Sequence, residues 1–512
     1  MAGSRRPDPF PVFSPVDKLP SVWSRDSYLI LACAASLAVV VPGIIRVQHH
    51  MRTVQFLVVV VVVVLAIVTV AIGIRFPAVT RESVYASVFF ILLIFGLRVA
   101  FDLSSSDVYW VNINVTDAYF TALAAVWAMA ASYVAVYVTL RLRWGSFETG
   151  SIIGPTREEA RYFRVASYVL GAVGWLALVV TVLLAGGLGS FIHSRESFTG
   201  VVNVPAVQYA MMFGICGSLL RVYLAYTQKS IIRSRDLWIG IGIAAPILLV
   251  TLAQGSRRYA LAALVAGIVG YFLVRGKTVP VMRTLLGVLV IVLFVLMPLE
   301  SVRSGGDDRG ESFGAAVSRY VTDPSGAVQG FFASQSTSML SASAMGLGDY
   351  DTMAGGLGWG RYTAAETVLQ PIPQQVWHSK PESLRNELID YRYGRGDSGC
   401  SSLCPTFGPA NTFLADFGLP GVILAGGALG LFGAVWLRLC ARLGFSGAAA
   451  YAGSFWGFVY MWWSSLSALT LIVLLIGVPP LVIKAAIELR RGSHGSNRIR
   501  ERISLMEYPK HV

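Results

Sequence analysis

Charged residues are scarce in this chain of 512 residues, since Asp, Glu, Lys and Arg together make up only 13% of it. Hydrophobic residues make up 55%, and the mean hydropathy is +0.63. A water-soluble protein of this length needs far more charge on its surface. The composition therefore argues against a soluble domain and indicates a membrane protein.

Signatures of nucleotide and metal sites are also missing. No phosphate-binding Gly-Lys-Ser/Thr loop is present, which argues against ATP-driven transport. The group Asp307, Asp308 and Glu311 matches no calcium loop, and we interpret it as a solvated turn. Cys400 and Cys404 lack the other two ligands of a zinc site, so they form either a disulfide or two free thiols. The other three cysteines lie in apolar runs and are expected to be packing residues: Cys33, Cys216 and Cys440.

Long apolar runs dominate the rest of the chain. Runs of about 17–25 residues recur, which is the length that crosses the hydrocarbon core of a bilayer. They predict an all-α, polytopic membrane protein with about twelve transmembrane helices. The predicted spans are 28–45, 54–76, 83–102, 117–140, 163–186, 205–226, 235–253, 258–275, 281–299, 412–438, 447–463 and 466–487.

One long polar insert interrupts these spans. It occupies residues 300–411, between spans 1–9 in 28–299 and spans 10–12 in 412–488. The tails are residues 1–27 and the basic segment 489–512. Loops of this length within a compact protein are usually functional. We therefore expect the chemistry of this protein to reside in the insert.

Charge predicts the orientation of the chain. Lys and Arg are concentrated in alternate loops, whereas the loop 103–116 contains neither. By the positive-inside rule both tails are cytoplasmic and the insert is external. One loop disagrees with the rule, because this orientation places Arg46 and Arg52 outside. The insert holds eight basic and twelve acidic residues, so the net charge of +13 arises largely on the cytoplasmic side. This balance suggests contact with anionic lipid rather than nucleic acid. The basic residues on that side include Arg5, Arg6, Lys18, Arg141, Arg143, Arg157, Arg161, Lys229, Arg233, Arg235, Arg275, Lys277, Arg442, Arg490 and Arg491.

Two arginines lie on the side that this rule disfavours. Arg257 and Arg258 occupy a very short connection between the seventh and eighth spans, at the outer membrane surface. A guanidinium binds phosphate oxygens in bidentate fashion, and a lipid diphosphate presents its charge at this depth. The alternative is that both side chains reach ordinary lipid headgroups.

Several other residues in the insert or next to it are candidates for a site. His378 could accept a proton near neutral pH, or it is simply a surface residue beside Trp377. Glu300 and Asp416 are carboxylates at membrane boundaries, where ionisable groups are often functional. Four arginines could clamp an anionic substrate or pair with the nearby acids Asp307, Asp308 and Glu382: Arg303, Arg309, Arg361 and Arg385.

Local helices are also predicted around these residues. Residues 361–369 have the pattern of a short helix that Pro371 stops. Pro381 suits the first turn of another helix, with Leu384 and Leu388 on one face. The segment 417–421, Phe-Gly-Leu-Pro-Gly, is expected to break or kink the tenth span.

Three segments together resemble a known family. Ser256-Arg257 at the start of a span resembles an element of the O-antigen polymerase and ligase superfamily. The run 371–382, Pro-Ile-Pro-Gln-Gln-Val-Trp-His-Ser-Lys-Pro-Glu, is similar to the Ile-Pro-Arg-x-x-Trp-Pro-x-Lys-Pro run of oligosaccharide repeat-unit polymerases (the Wzy type). Pro405-Thr406 followed by the segment 417–421 resembles their entry into the next span. The sequence departs from the pattern at Gln374, where the family often has arginine, and at His378, where it often has proline.

The resemblance implies a glycosyltransferase C-type fold and a specific reaction. Such enzymes join oligosaccharide units carried on polyprenyl diphosphate, with inversion and without a metal or other cofactor. The reaction takes place at the outer face of the cytoplasmic membrane and yields a cell-surface polysaccharide. A chain-length regulator and a flippase are the protein partners that it implies. Two alternatives remain: a ligase of the same superfamily, and a flippase or exporter without chemistry.

The resemblance also assigns roles to the candidate residues. Arg257, assisted by Arg258 and Arg303, is expected to bind the diphosphate. His378 is expected to act as the base for the acceptor, with Glu300 as the alternate. The residues expected to hold the glycan are Arg361, Trp377, Lys380 and Arg385.

Overall fold

A computed structural model of the chain describes residues 117–144, 154–193, 205–253, 258–275, 356–369, 379–393 and 408–491, with isolated residues between 318 and 377. These residues form helices, and no strand occurs among them. The described helices are, in chain order, α1 (Asp117–Trp144), α2 (Arg157–Leu184), α3 (Leu188–His193), α4 (Pro205–Tyr226), α5 (Arg235–Ala253), α6 (Arg258–Val274), α7 (Arg361–Thr367), α8 (Leu384–Tyr393), α9 (Pro409–Arg442), α10 (Gly444–Trp463) and α11 (Leu466–Ile472). Beyond α11, a π-helical turn at Val473–Gly477 leads into further helix that ends at Arg491.

The prediction of a helical membrane protein agrees with this architecture. Eight of the twelve predicted spans fall on described residues, and each of the eight is helical. The other four, at 28–45, 54–76, 83–102 and 281–299, lie outside the described residues. Six described helices are long and apolar enough to cross a membrane: Thr121–Arg141, Arg157–Leu184, Tyr209–Tyr226, Arg235–Leu252, Pro409–Arg442 and Leu466–Arg491.

Glycines let the backbones of α1 and α9 approach closely. A Cβ atom added at Gly426 would lie 2.3 Å from the carbonyl oxygen of Met129, and one at Gly430 would lie 2.4 Å from that of Tyr133. Helices in lipid associate by such close packing, because lipid tails provide no hydrophobic force between them. This contact fixes α9, the helix that carries the insert, against α1.

Ion pairs and hydrogen bonds join the helix termini at one end of the bundle, which we call the basic end. The start of α2 is tied to the last helix, because Glu159 accepts a hydrogen bond from Nζ of Lys484 at 3.1 Å and Glu158 pairs with Arg491 at 2.9 Å. The end of α9 reaches the end of α1, where Arg438 lies over the ring of Trp144. Among the described residues, these helix ends, which the charge pattern predicts to be on one side, are therefore together.

A buried ion pair closes the same end between α2, α4 and α5. Nη1 of Arg221 donates to Oδ1 of Asp236 at 2.5 Å, and both side chains are almost fully buried. Nε of Arg221 also donates to the hydroxyl of Ser167 at 2.7 Å. Asp236 pairs in addition with the half-exposed Arg164. A buried arginine needs such partners, because an unpaired charge in this environment is costly.

The opposite end of the bundle, which we call the insert end, is where α9 begins and where α7 lies against it. The first turn of α5 lies at the basic end, because it contains Asp236. Helix α6 ends there too, because Arg275 donates to the carbonyl of Gln228. The end of α5 and the start of α6 therefore also lie at the insert end. The described helices of the insert and the start of α6 at Arg258 therefore lie at the same end.

Candidate functional site

Two backbone hydrogen bonds attach the insert to the first turns of α9. The N–H of Gly358 donates to the carbonyl of Ala415, and the N–H of Trp359 donates to that of Asp416, each at 3.0 Å. The approach is close: a Cβ atom at Gly358 would lie 2.5 Å from Oδ1 of Asp416 and 2.8 Å from the ring of Tyr362. A glycine at position 358 is therefore what permits this contact.

The carboxylate of Asp416 completes the attachment. Its Oδ1 accepts a hydrogen bond from the N–H of Tyr362 at 3.2 Å, and its Oδ2 accepts two from Thr363, one from the N–H and one from the hydroxyl, both at 2.6 Å. The first turn of a helix has N–H groups without helical partners, and a carboxylate satisfies them well. Asp416 is fully buried. Asp416, which the sequence predicted to be a carboxylate at a membrane boundary, therefore holds α7 against α9.

The predicted kink in the tenth span is confirmed. Gly418 interrupts α9 with a φ of 67° and a ψ of −167°, and Pro420 follows it inside the helix. The break turns the ring of Phe417 toward the insert, where a Cβ atom at Gly360 would lie 3.0 Å from it. The sequence Phe-Gly-Leu-Pro-Gly therefore shapes the surface on which α7 rests.

A small apolar core lies beneath the two helices of the insert. It contains Tyr350, Tyr362, Leu384, Leu388 and Ala415, all of them buried. The prediction that Leu384 and Leu388 lie on one helix face is confirmed, and the structure buries that face. This core joins α7, α8 and the start of α9 into one structural unit at the insert end.

The predicted boundaries of both short helices need correction. Helix α7 ends at Thr367 instead of residue 369. The prediction that Pro381 lies in the first turn of α8 is wrong, because that helix begins at Leu384. The reason is the hydroxyl of Ser383, which accepts a hydrogen bond from the N–H of Asn386 and so acts as the N-terminal cap.

Arg361, a predicted glycan-binding residue, forms an ion pair with Glu387 of α8. The sequence suggested Asp307, Asp308 or Glu382 as a partner for this arginine. The observed partner, Glu387, is a different acid. The hydroxyl of Tyr362 also donates to Glu387, at 2.7 Å. Burial raises the pKa of the Tyr362 phenol, and the charge of Arg361 opposes that rise. About half of the Arg361 side chain remains exposed, so it is accessible to an anionic ligand.

The motif run that carries the family resemblance is partly described. Nζ of Lys380 donates to the carbonyl of Ile372 at 3.1 Å, so these two described residues of the run are in contact. Burial lowers the pKa of Lys380. The indole N–H of Trp377 donates to the hydroxyl of Ser379 at 2.9 Å, and 39% of the Trp377 surface is exposed. A partly exposed indole offers an apolar face on which a sugar ring can stack, and a lysine ammonium can attract a phosphate.

The other predicted site residues are not described in the same detail. Arg258 is the first residue of α6 and Arg385 lies in α8, but the positions of their side chains lie outside the described part of the structure. Four more lie wholly outside the described residues: Arg257, Glu300, Arg303 and His378. Of the nine predicted residues, the structure therefore relates Arg361, Trp377 and Lys380 to the insert end.

Sequence reasoning missed a second polar contact between the insert and α9. The hydroxyl of Thr412 donates to Oε1 of Glu366 at 3.1 Å, and both residues are buried. It also missed Thr363 and Glu387, the partners of Asp416 and Arg361. The spacing of Glu366 and Thr363 within α7 gives no sign of these contacts, because their partners lie far away in the sequence.

The described residues contain no group of three or more His, Cys, Asp or Glu side chains placed to hold a metal ion. No protein-family model, no curated protein and no solved structure matches the chain. The function must therefore be argued from the residues and their arrangement.

Proposed function

We propose that this protein is a membrane glycosyltransferase that polymerises oligosaccharide repeat units carried on polyprenyl diphosphate. The reaction occurs at the outer face of the cytoplasmic membrane and follows an inverting, metal-independent course within a glycosyltransferase C-type fold. The observation that carries the proposal is the attachment of the motif-bearing insert to α9 at the end of the bundle opposite the basic end. A lipid-linked substrate presents its diphosphate and first sugars at that depth.

The arrangement of arginines supports the diphosphate role. Helix α6 begins with Arg258 at the insert end, and Arg361 is half-exposed at the same end. In the proposed reaction Arg257, Arg258 and Arg303 bind the diphosphate. The acceptor hydroxyl oxygen bonds to the anomeric carbon, and the diphosphate leaves with the electron pair of the broken bond between that carbon and the diphosphate oxygen. Fixed cationic groups stabilise such a leaving group as its charge develops. Their contribution replaces that of a metal ion.

The motif run supplies the remaining roles. His378 accepts the proton of the attacking sugar hydroxyl, with Glu300 as the alternate base. The glycan is held by the exposed side chains of the insert: Arg361, Trp377, Lys380 and Arg385. Trp377 suits stacking on a sugar ring, because part of its indole surface is free while its N–H is already bonded to Ser379.

Lipid-linked repeat units supplied as the sole substrate to purified protein in proteoliposomes test this proposal. A ladder of products that differ by one repeat unit is expected. Products that form only after a second, lipid A-like or peptide acceptor is added indicate the ligase alternative. Movement of lipid-linked units across the membrane without any new glycosidic bond indicates a flippase and overturns the proposal.

The ion pair of Arg361 offers a matched control within this assay. Removing either Arg361 or Glu387 breaks the ion pair, but only Arg361→Ala also removes the proposed ligand for the glycan. Arg361→Ala should therefore reduce chain extension much more than Glu387→Gln does. Equal losses in the two variants would show that the pair serves only the structure of the insert.

A further inference from the structure

Trp359 combines three properties that the fold alone does not explain. It is a bulky residue with a φ of 51°, in the left-handed region that side chains rarely adopt. It is also 79% exposed, so the indole contributes little to the interior of the insert. Strain of this kind costs about 1–3 kcal/mol and persists where the surrounding structure imposes it.

The neighbours of Trp359 impose that backbone conformation. The N–H of Trp359 is bonded to the carbonyl of Asp416, and the N–H of Arg361 is bonded to the carbonyl of Gly358. The chain is thus fixed on both sides of the tryptophan, and Gly360 turns it with a φ of 89°. The result is a rigid corner, formed by residues 358–360, that projects the indole away from the protein.

The length of α9 indicates the depth of this corner in a bilayer. We place the membrane boundary of the basic end at Arg438, because it lies over Trp144 and is the first charged residue of α9 after Asp416. Arg438 lies 21 positions after Phe417, and at about 1.5 Å per residue the two are about 32 Å apart along the helix, close to the thickness of the hydrocarbon core. Trp359, bonded to the carbonyl of Asp416, therefore lies near the opposite boundary.

The exposure pattern along α9 agrees with this boundary. The helix start at residues 409–416 is almost entirely buried by protein. Large exposed apolar side chains begin at Phe417 and continue along the helix with Leu419, Ile423 and Leu424. Such a change from protein-covered to exposed apolar surface is expected where a helix enters lipid.

We propose that the corner at Trp359 is a lipid-contact site that anchors the insert in the headgroup region of the bilayer. Tryptophan is the residue that membrane proteins enrich at this depth, because its apolar ring and its polar N–H suit the boundary between lipid and water. The strained backbone holds the indole in that layer. The anchor in turn fixes the height of α7 and of Arg361 above the membrane surface. This inference does not depend on the proposed polymerase reaction.

A photo-crosslinking amino acid tests the proposal in the full-length protein. Trp359 is replaced by p-benzoylphenylalanine, and the variant is reconstituted in vesicles of phosphatidylethanolamine and phosphatidylglycerol. Asn386, an exposed residue of α8 in the same insert, receives the same replacement as the matched control. Irradiation should yield several-fold more phospholipid adduct at position 359 than at position 386. Equal adduct at both positions, or capture only of added lipid-linked glycan at position 359, would overturn the lipid anchor.

A second variant tests the strain. Trp359→Gly removes the indole and the steric strain of the positive φ, at the smaller cost of extra conformational entropy in the unfolded chain. Because the side chain is exposed, the melting temperature of the detergent-solubilised variant should equal or exceed that of the parent protein. A lower melting temperature would show that the indole is needed for folding, and it would overturn the proposed role in lipid contact.

Discussion

Oδ2 of Asp416 lies 2.6 Å from the backbone nitrogen of Thr363 and 2.6 Å from its hydroxyl oxygen, and it accepts a hydrogen bond from each. Asp416 belongs to a long apolar helix, whereas Thr363 belongs to the polar insert 53 residues earlier. Through this contact a buried carboxylate helps to hold the insert on the helix bundle, together with the backbone hydrogen bonds of Gly358 and Trp359.

Removal of this carboxylate should release the insert. Asp416→Ala leaves the N–H groups of Tyr362 and Thr363 buried without an acceptor, and hydrogen bonds to a charged group contribute about 1.5–3 kcal/mol each. We expect limited proteolysis of the purified protein to cleave the insert much faster in this variant. Thr363→Val is the control, since it removes only the hydroxyl and should have a smaller effect. An unchanged cleavage rate in Asp416→Ala would contradict the role of the carboxylate.

The close approach at Gly358 gives a second prediction. Gly358→Ala should destabilise the attachment by about 1–3 kcal/mol, because the added methyl group overlaps the Asp416 carboxylate and the Tyr362 ring. Gly356→Ala is a matched control two residues away, because nothing lies within 4 Å of a Cβ atom at that position. Thermal unfolding in detergent measures both. If the two variants melt at the same temperature, the contact at Gly358 is not as tight as described.

The interface between α1 and α9 gives a third prediction. Gly430→Ala places a methyl group against the carbonyl oxygen of Tyr133 and should lower the free energy of unfolding by about 1–3 kcal/mol. At Gly427 the nearest atom to an added Cβ is a side-chain methyl of Val136 at 3.3 Å, which can adjust. Gly427→Ala should therefore be nearly neutral. Chemical denaturation measures the free energy of unfolding of both variants. If Gly427→Ala proves less stable than Gly430→Ala, α1 and α9 pack differently from this description.

The buried ion pair at the basic end gives a fourth prediction. Asp236→Ala leaves the guanidinium of Arg221 buried without its charged partner, which should cost about 3–5 kcal/mol. Arg164→Gln removes the half-exposed partner of the same carboxylate and should cost less than about 1 kcal/mol. The yield and melting temperature of the two detergent-solubilised variants provide the comparison. Similar losses would mean that burial of Arg221 does not determine the stability of this end.

The local features that follow from chain chemistry could be predicted from the sequence. Apolar length identified eight helices that the structure contains, and the pair of Gly418 and Pro420 indicated the break in α9. The common face of Leu384 and Leu388 followed from helical spacing. These features depend on residues that are near one another in the chain.

Contacts between distant segments could not be predicted in the same way. Nothing near Asp416 in the sequence indicates Thr363 as its partner, and the pairing of Arg361 with Glu387 differs from the acid expected by proximity. The start of α8 was misplaced because Pro381 is compatible with a first helical turn, while the Ser383 cap depends on the local backbone. No feature of the sequence indicated that Trp359 is exposed and has a strained backbone. The glycines around it predict a turn, but they determine neither the φ nor the exposure of one residue.

The most direct measurement of the central claim is the release of free polyprenyl diphosphate from lipid-linked repeat units by purified protein in proteoliposomes. Each new glycosidic bond must release one carrier diphosphate. We predict equal amounts of released carrier and new linkages in the parent protein, and neither in a correctly inserted Arg257→Ala variant. Linkages formed normally by Arg257→Ala would contradict the diphosphate role of that residue. Consumption of no lipid-linked substrate by the parent protein, with or without a second acceptor, would contradict the proposed glycosyltransferase itself.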